Sequence, residues 1–148
     1  MKYQTEKLKD ILPEINAMVP EQWAEMAEGF EGLAQPNWPI YLAAEERGMG
    51  LLLTARDAEL VGYFGFLIHP HLSAADQLAA SSTPYFVKKR RDRGVILRSL
   101  IRYSLDILSR RGVRYVSVRT HTWASCAPIL ERLHFKPYET SYMLKLGG

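Results

Sequence analysis

Cysteine is almost absent from the sequence, since Cys126 is the only one among 148 residues. An intrachain disulfide is therefore excluded, and a reducing compartment is favoured. The N-terminal stretch MKYQTEKLKDILPEI lacks the apolar core of a signal peptide. No apolar run approaches the ~18 residues that span a bilayer. We therefore expect a cytoplasmic protein without a membrane partner.

An excess of charge of one sign is also missing. The chain has 19 basic and 16 acidic side chains, a net charge of +3. This charge is too small to indicate a nucleic-acid-binding protein by itself. Repeats, low-complexity segments and linkers are absent too, and 47% of the residues are apolar. The composition predicts one globular domain over residues 1–148, long enough to bury a substantial core.

Apolar spacing predicts helices in the first third of the chain. Residues 6–18 have helical periodicity with a break or kink at Pro13, and a second helix should follow Pro20. A short helix over residues 40–47 should end at Gly48. These helices precede the first strand signals of the sequence.

The remainder of the chain alternates strand and helix signals. The apolar runs 51–55 and 60–68 predict a hairpin, and residues 71–82 form a polar connection of uncertain structure. The later predictions are strand 83–87, a helix with its apolar stripe over 97–108, strand 113–120, helix 125–133 and two strands within 135–146. This order predicts a single mixed α/β domain.

A dense basic run, KKRRDR, lies between the predicted strand 83–87 and the helix that follows it. Such a run is often a solvated surface, or a clamp for nucleic-acid phosphates. A strand, a glycine and a helix N-terminus in succession can also bind a phosphate through backbone N–H groups. Gly94 would allow close approach because it has no Cβ.

The same segment resembles the acyl-CoA signature R/Q-x-x-G-x-G/A of the GNAT superfamily of N-acetyltransferases. RDRGVI supplies Arg91 and Gly94, and Ile96 replaces the second small residue. Downstream, ILERLHFKPYE is similar to that superfamily's ERLGFKPYE, with His134 in place of glycine. The resemblance covers the chain from about Leu51 to the C-terminus. It extends to EQWAEMA and IYLAAEERG, as in small phage and bacterial members.

The resemblance implies a fold and a cofactor. The fold is a GNAT-like mixed sheet with N-terminal helices, a central strand-turn-helix cradle for acyl-CoA and C-terminal strands. The cofactor is acetyl-CoA, used as a co-substrate. Counting from Gly94 places the motif arginine at Arg91, whereas counting from Val87 places it at Asp92. The implied cofactor-binding residues are Tyr85, Phe86, Val87, Arg91, Asp92, Arg93, Gly94, Val95, Ile96 and Leu97.

The implied reaction is acetyl transfer to an amine by direct attack within a ternary complex. Leu130 stands where the family often has a tyrosine that protonates the departing thiolate, so other residues must move the protons. His121 follows a strand at the expected mouth of the cleft and has a suitable side chain for proton transfer near neutrality. Tyr142 in the last predicted strand and Asp76 before the cofactor strand complete the catalytic candidates.

Other functions stay open at this stage. The departures at Ile96 and Leu130 are compatible with a GNAT fold that has lost catalysis and acts as an interaction protein. The basic run 88–93 is compatible with a nucleic-acid-binding module, although the modest net charge makes a nucleic-acid partner the weaker expectation. No metal site is predicted, because His69 and His71 lack the spacing and companions of zinc ligands. The acceptor is a small-molecule or protein amine, and a homodimer is compatible with the sequence.

Overall fold

The computed structural model describes residues 1–26, 36–122 and 125–147. In chain order the described elements are β1 (Lys2–Thr5), α1 (Leu8–Met26), α2 (Trp38–Glu46), β2 (Gly50–Asp57), β3 (Glu59–His71), β4 (Ala74–Val87), α3 (Arg93–Arg110), β5 (Val113–Ser117) and α4 (Ala127–Arg132). None of the described helices is long and apolar enough to cross a bilayer.

The five strands form one mixed sheet in the order β1-β2-β3-β4-β5. Neighbouring strands are antiparallel except β4 and β5, which are parallel. A tight turn joins β2 to β3, and Ala58 adopts a positive φ of 63° there. The parallel pair needs a crossover connection, which α3 provides. The α/β class and the predicted mixed sheet are therefore confirmed.

Helices cover both faces of the sheet. On one face α3 and α4 pack on a first core, whose members include Phe64, Phe66, Ile96, Leu100, Ile101, Leu108 and Leu130. On the other face α1 and α2 pack on a second core, which contains Leu8, Ile11, Ile15, Met18, Leu60, Tyr63 and Phe86. Successive strand residues point to opposite faces, so one strand such as β3 supplies both cores.

The N-terminal helix is continuous, so of the predicted break or kink at Pro13 the break is wrong, and so is the separate helix after Pro20. Both prolines lie inside α1. Burial of Ile11, Ile15 and Met18 along one face holds the helix together across the missing hydrogen bonds. The start of α1 is capped from α2, because the Glu45 carboxylate accepts hydrogen bonds from two first-turn amides, those of Leu8 and Lys9.

Two strand assignments differ from the sequence predictions. The polar connection 71–82 is mostly strand, since β4 begins at Ala74 directly after a tight turn. The N-terminal strand β1 was not predicted at all. It pairs with β2 through Lys2 to Thr5. Both strands are polar or rich in small residues, so the pairing with an apolar neighbour decides their structure.

The prediction of two terminal strands is wrong. Residues 135–147 contain neither helix nor strand. Several of their large side chains are exposed, and Tyr142 reaches 95%. The sequence there alternates apolar and polar residues, but an alternating pattern forms a strand only when an edge accepts it.

A bulge in β4 interrupts its pairing with β3. Phe64 pairs with Tyr85 and Phe66 pairs with Ser82, so two residues of β4, Thr83 and Pro84, lie opposite Gly65 alone. A Cβ added to Gly65 would lie 2.2 Å from the Thr83 hydroxyl oxygen, so only glycine fits without displacement. Proline is tolerated at a bulge because the ladder hydrogen bond is already interrupted.

An ion cluster ties the first strands to α1. The Arg56 guanidinium on β2 donates to both carboxylate oxygens of Glu6, at 2.9 and 3.1 Å, and to both of Glu14, at 2.9 and 2.8 Å. Thr54, which is fully buried, donates its hydroxyl to Glu6 as well. Burial works against ionisation of Glu6, but the hydrogen bonds from Arg56 and Thr54 outweigh it and lower the pKa of Glu6. The hydrogen bonds from Arg56 lower the pKa of Glu14 too.

Arg56→Met should reduce the free energy of unfolding at pH 7 by about 1–3 kcal/mol, because two carboxylates lose their charged donor. Both carboxyl pKa values are lowered in the folded state, so this stabilisation is complete above the ordinary value of 4.5 and is lost as the pH falls through the folded values. Urea unfolding should therefore separate wild type and variant at pH 7 and bring them together near pH 3. Arg110→Gln is the control, because its pair with Asp106 is exposed. An equal deficit at both pH values would contradict the prediction.

Candidate active site

The parallel strands β4 and β5 separate part-way along their length. Their pairing runs from Leu78 with Val113 to Ser81 with Ser117, and it stops where the β4 bulge begins. Beyond that point Ser82 accepts a hydrogen bond from the Arg119 amide at 2.9 Å. The remaining length of β4, up to Val87, has no ladder to β5. A gap between two parallel strands leaves main-chain groups available to a ligand.

Tyr85 stands at this gap. Its ring stacks on Phe64, with 4.3 Å between centroids and 12° between planes. Its hydroxyl donates to the Arg119 carbonyl at 2.7 Å and lies 3.4 Å from the Cys126 sulfur. Burial, with the neighbouring Cys126 thiol as the next cause, raises the pKa of Tyr85. The phenol therefore stays protonated throughout the neutral range and is a hydrogen-bond donor.

Residues that follow β5 and precede α4 contact the same tyrosine and each other. The Cys126 amide donates to the Thr120 hydroxyl at 2.8 Å, and the Arg119 carbonyl accepts from Tyr85. Sequence reasoning assigned Tyr85 to the site through its main chain alone. Its phenol was missed because the contact spans 34 positions of sequence, and no local pattern encodes it.

The structure distributes the predicted catalytic residues unevenly. His121 lies two residues after Arg119, whose carbonyl accepts from the Tyr85 hydroxyl, so its backbone lies near the gap. Asp76 lies nine residues before Tyr85 on β4, which is roughly 25–30 Å away at 3.3 Å per residue. Tyr142 belongs to the exposed C-terminal segment. Leu130, at the family's tyrosine position, is buried in the first core.

The N-terminus of α3 has two uncommitted donors. The Arg93 amide donates to the Arg90 carbonyl and the Ile96 amide donates to the Asp92 carbonyl. Within the described chain, the amides of Gly94 and Val95 have no acceptor. A Cβ built on Gly94 meets nothing within 4 Å, so the space beside it is open. Orphan amides at the positive end of an 18-residue helix favour an anion.

Acidic side chains neutralise much of the basic run. Lys88 pairs with Glu59 at 3.3 Å, and Arg93 pairs with Glu25. Arg90 pairs with two carboxylates, those of Asp57 at 3.0 Å and Asp92 at 2.6 Å. Within the run 88–93, the side chains of Lys89 and Arg91 have no carboxylate partner among the described residues. Two such cations are available to a phosphate, which is fewer than the sequence suggests.

The described part of the chain has no group of three or more His, Cys, Asp or Glu side chains arranged to hold a metal ion. The histidines of the 69–71 stretch serve other contacts. His71 accepts a hydrogen bond from the Ser73 amide and lies against Tyr115, with 4.8 Å between ring centroids.

Comparison with solved structures identifies the fold of the chain. No protein-family model matches the sequence, and no curated protein matches it significantly. Among solved structures, a predicted acetyltransferase from Clostridium acetobutylicum, crystallised with acetyl-CoA, has a TM-score of 0.76 at 11% identity, covering 98% of this chain and 96% of that chain. A ribosomal-protein-alanine N-acetyltransferase from Brucella melitensis biovar Abortus has a TM-score of 0.71 at 17% identity, covering 98% of each chain.

A third neighbour is an aminoglycoside acetyltransferase from an uncultured soil metagenomic sample, solved in complex with sisomicin. Its TM-score is 0.66 at 15% identity, and the match covers 97% of this chain and 96% of that chain. These neighbours, which cover nearly all of the chain, show that the protein has the same fold as these acetyltransferases. The resemblance seen in the sequence is confirmed at the level of the fold.

Proposed function

We propose that this protein is an acetyl-CoA-dependent N-acetyltransferase that transfers acetyl to an amine by direct attack in a ternary complex. The observation that carries the proposal is the separation of β4 from β5 beside the open N-terminus of α3. An extended ligand with an anionic end fits these two features together. The GNAT fold and the neighbour crystallised with acetyl-CoA support the choice of cofactor.

The cofactor would lie across both features. Its pyrophosphate would accept from the amides of Gly94 and Val95, next to the uncommitted guanidinium of Arg91. Its pantetheine arm would follow β4 into the gap and pair with main-chain groups between Tyr85 and Val87, where the Tyr85 carbonyl already accepts one hydrogen bond from the Gln22 side chain at 3.3 Å. The thioester would then lie near the Tyr85 phenol, whose single proton could turn from the Arg119 carbonyl to the thioester carbonyl oxygen or to the departing thiolate.

Two protons must leave the acceptor nitrogen, because an alkyl ammonium with a pKa near ~10.4 is the dominant form at neutral pH. We assign to His121 the proton released as the C–N bond forms. The carbonyl π electrons move to oxygen during attack, and their return expels the CoA thiolate. Tyr142 stays a predicted donor to that thiolate. Asp76 is not included, because β4 places it at the far end of the strand.

Calorimetric titration with acetyl-CoA tests the cofactor half of the proposal, and release of free CoA thiol with amine acceptors tests the transfer. Saturable binding and amine-dependent thiol release are expected. Binding without transfer to any amine would favour the non-catalytic interaction protein, for which buried Leu130 is the supporting observation. Binding of duplex or single-stranded nucleic acid without binding of acetyl-CoA would contradict the proposal.

Arg91→Gln should weaken the free energy of acetyl-CoA binding by about 1.5–3 kcal/mol, because one charge-assisted contact is lost. The affinity of the variant should also depend less steeply on salt concentration. Arg90→Gln is the matched control, since Arg90 is adjacent but occupied by Asp57 and Asp92. Calorimetry at two salt concentrations compares the variants. A larger loss for Arg90 than for Arg91 would show that the phosphate contact is made by a different cation.

A further inference from the structure

Two serine hydroxyls and one histidine imidazole form a hydrogen-bonded chain across β3, β4 and β5. Ser117 on β5 donates to the Ser81 hydroxyl oxygen on β4 at 3.3 Å. The Ser81 oxygen in turn lies 2.8 Å from Nε2 of His69 on β3. The other ring nitrogen of His69, Nδ1, lies 2.8 Å from the Pro70 carbonyl oxygen.

The Pro70 carbonyl fixes the direction of this chain. A carbonyl oxygen only accepts hydrogen bonds, so Nδ1 of His69 must carry the proton. In the neutral ring Nε2 is then an acceptor, and the Ser81 hydroxyl donates to it. Every donor in the chain points the same way, from Ser117 through Ser81 to His69. This is the arrangement needed to move a proton from Ser117 to the imidazole.

The chain lies at the edge of the proposed active site. His69, Ser81 and Ser117 each follow a residue that packs on the first core, so all three lie on the opposite face of the sheet. Ser81 and Ser117 are also the last pair before β4 and β5 separate. Ser117 is exposed, whereas Ser81 and His69 are half-buried. The exposed end of the chain therefore opens beside the gap where an acceptor amine would approach the thioester.

We propose that Ser117, Ser81 and His69 form a proton relay that converts the bound acceptor ammonium to the neutral amine. This inference rests on the proposed N-acetyltransferase function. The ammonium N–H would give its proton to the Ser117 oxygen as Ser117 passes its own to Ser81 and Ser81 passes its own to Nε2. The product is a neutral amine with a free lone pair and an imidazolium at His69, whose Nδ1–H still donates to Pro70.

The proton balance of the whole reaction then closes. An ammonium and acetyl-CoA give an amide, CoA thiol and one proton. The relay delivers that proton to solvent from half-buried His69. The second nitrogen proton leaves at His121 during attack, and it either reaches the CoA sulfur or restores the Tyr142 phenol after Tyr142 has protonated that sulfur. The relay therefore acts before bond formation, and His121 acts during it.

Two other titratable groups of the described sheet lie near His69 on the same face. On its own strand the nearest on that face is His71, and on β5 it is Tyr115, which contacts His71. Between them β4 presents Ala79, which pairs with both His69 and Tyr115. On the β2 side, the Met49 carbonyl accepts from the Ile68 amide, and Met49 is uncharged.

The test compares the pH dependence of kcat/KM in His69→Gln, Ser81→Ala and Ser117→Ala, with a simple alkyl amine and sisomicin as acceptor probes. Near neutrality each variant should lose about 10²-fold in kcat/KM for the amine. The deficit should shrink as the pH approaches the amine's own pKa, because free amine then forms without the relay. Acetyl-CoA affinity should not change. His71→Gln is the matched control, since it is on the same face but outside the chain, and its pH profile should retain the wild-type acid limb.

Nitrogen-15 imidazole spectra of the free protein give an answer that needs no turnover. His69 should be the Nδ1–H tautomer, and Ser81→Ala should shift its Nε2 resonance. An Nε2–H tautomer, a deficit of equal size at every pH, or no deficit at all would overturn the relay. Wild type that binds acetyl-CoA yet acetylates neither probe would also overturn it, whereas failure to bind acetyl-CoA would be the failure of the proposed function itself.

Discussion

Gly94→Pro should abolish measurable acetyl-CoA binding, with Kd raised by 10²-fold or more, in a protein that remains folded. The substitution removes an N–H that the helix does not use and fills the open space beside it. A lost charge-assisted hydrogen bond accounts for about 1.5–3 kcal/mol, and exclusion of the phosphate by the ring adds to it. Proline is tolerated in the first turn of a helix. Calorimetry gives Kd, and thermal unfolding confirms the fold.

Gly94→Ala separates the two causes, because alanine keeps the N–H and its Cβ meets no protein atom within 4 Å. If close approach of the phosphate matters, alanine should fall between wild type and proline. A folded Gly94→Pro variant with wild-type affinity would show that acetyl-CoA does not bind at the start of α3.

His121→Ala should lower kcat by about 10²-fold or more while acetyl-CoA affinity stays nearly unchanged. The histidine lies directly after the Arg119–Thr120 stretch that contacts Tyr85 and Cys126, so it is next to the proposed thioester position. Its role begins once the amine is already neutral. The deficit should therefore persist at high pH, unlike the deficit of the relay variants.

Steady-state kinetics across pH provide the measurement, with Tyr142→Phe for comparison. Loss of the Tyr142 phenol should have a smaller effect, because a thiol with a pKa near ~8.5 leaves readily near neutrality. An unchanged rate and pH profile for His121→Ala would remove that residue from the mechanism.

Strong local patterns were sufficient for part of the fold. The hairpin of β2 and β3 and the helix α3 have clear periodicity with glycine or turn signals at their ends, and both are present as predicted. The early part of β4 and the strand β1 depend on neighbouring strands, so local propensity underestimates them. Residues 135–146 show the reverse case, since they alternate like strands and are not paired in the described structure.

The candidate site also has features that the local sequence predicts and features that it does not. Gly94 could be proposed from the sequence, because a glycine at the start of a helix allows a phosphate to approach the backbone closely. The Tyr85 phenol and the chain from Ser117 to His69 depend on register between strands 12 to 36 positions apart in sequence. Register is fixed by the cooperation of bulges, turns and both cores, and no single segment encodes it.

The register of β3 and β4 at the bulge depends on Gly65, which matters for any redesign of the protein. Gly65 is the spacer that lets β3 and β4 lie close where the bulge turns β4 away from β5. A Cβ at this position would lie 2.2 Å from the Thr83 hydroxyl oxygen, so the Thr83 side chain would have to rotate or the bulge would have to shift. The close packing of β3 against β4, at the point where β4 leaves β5, therefore depends on the absence of a side chain at Gly65.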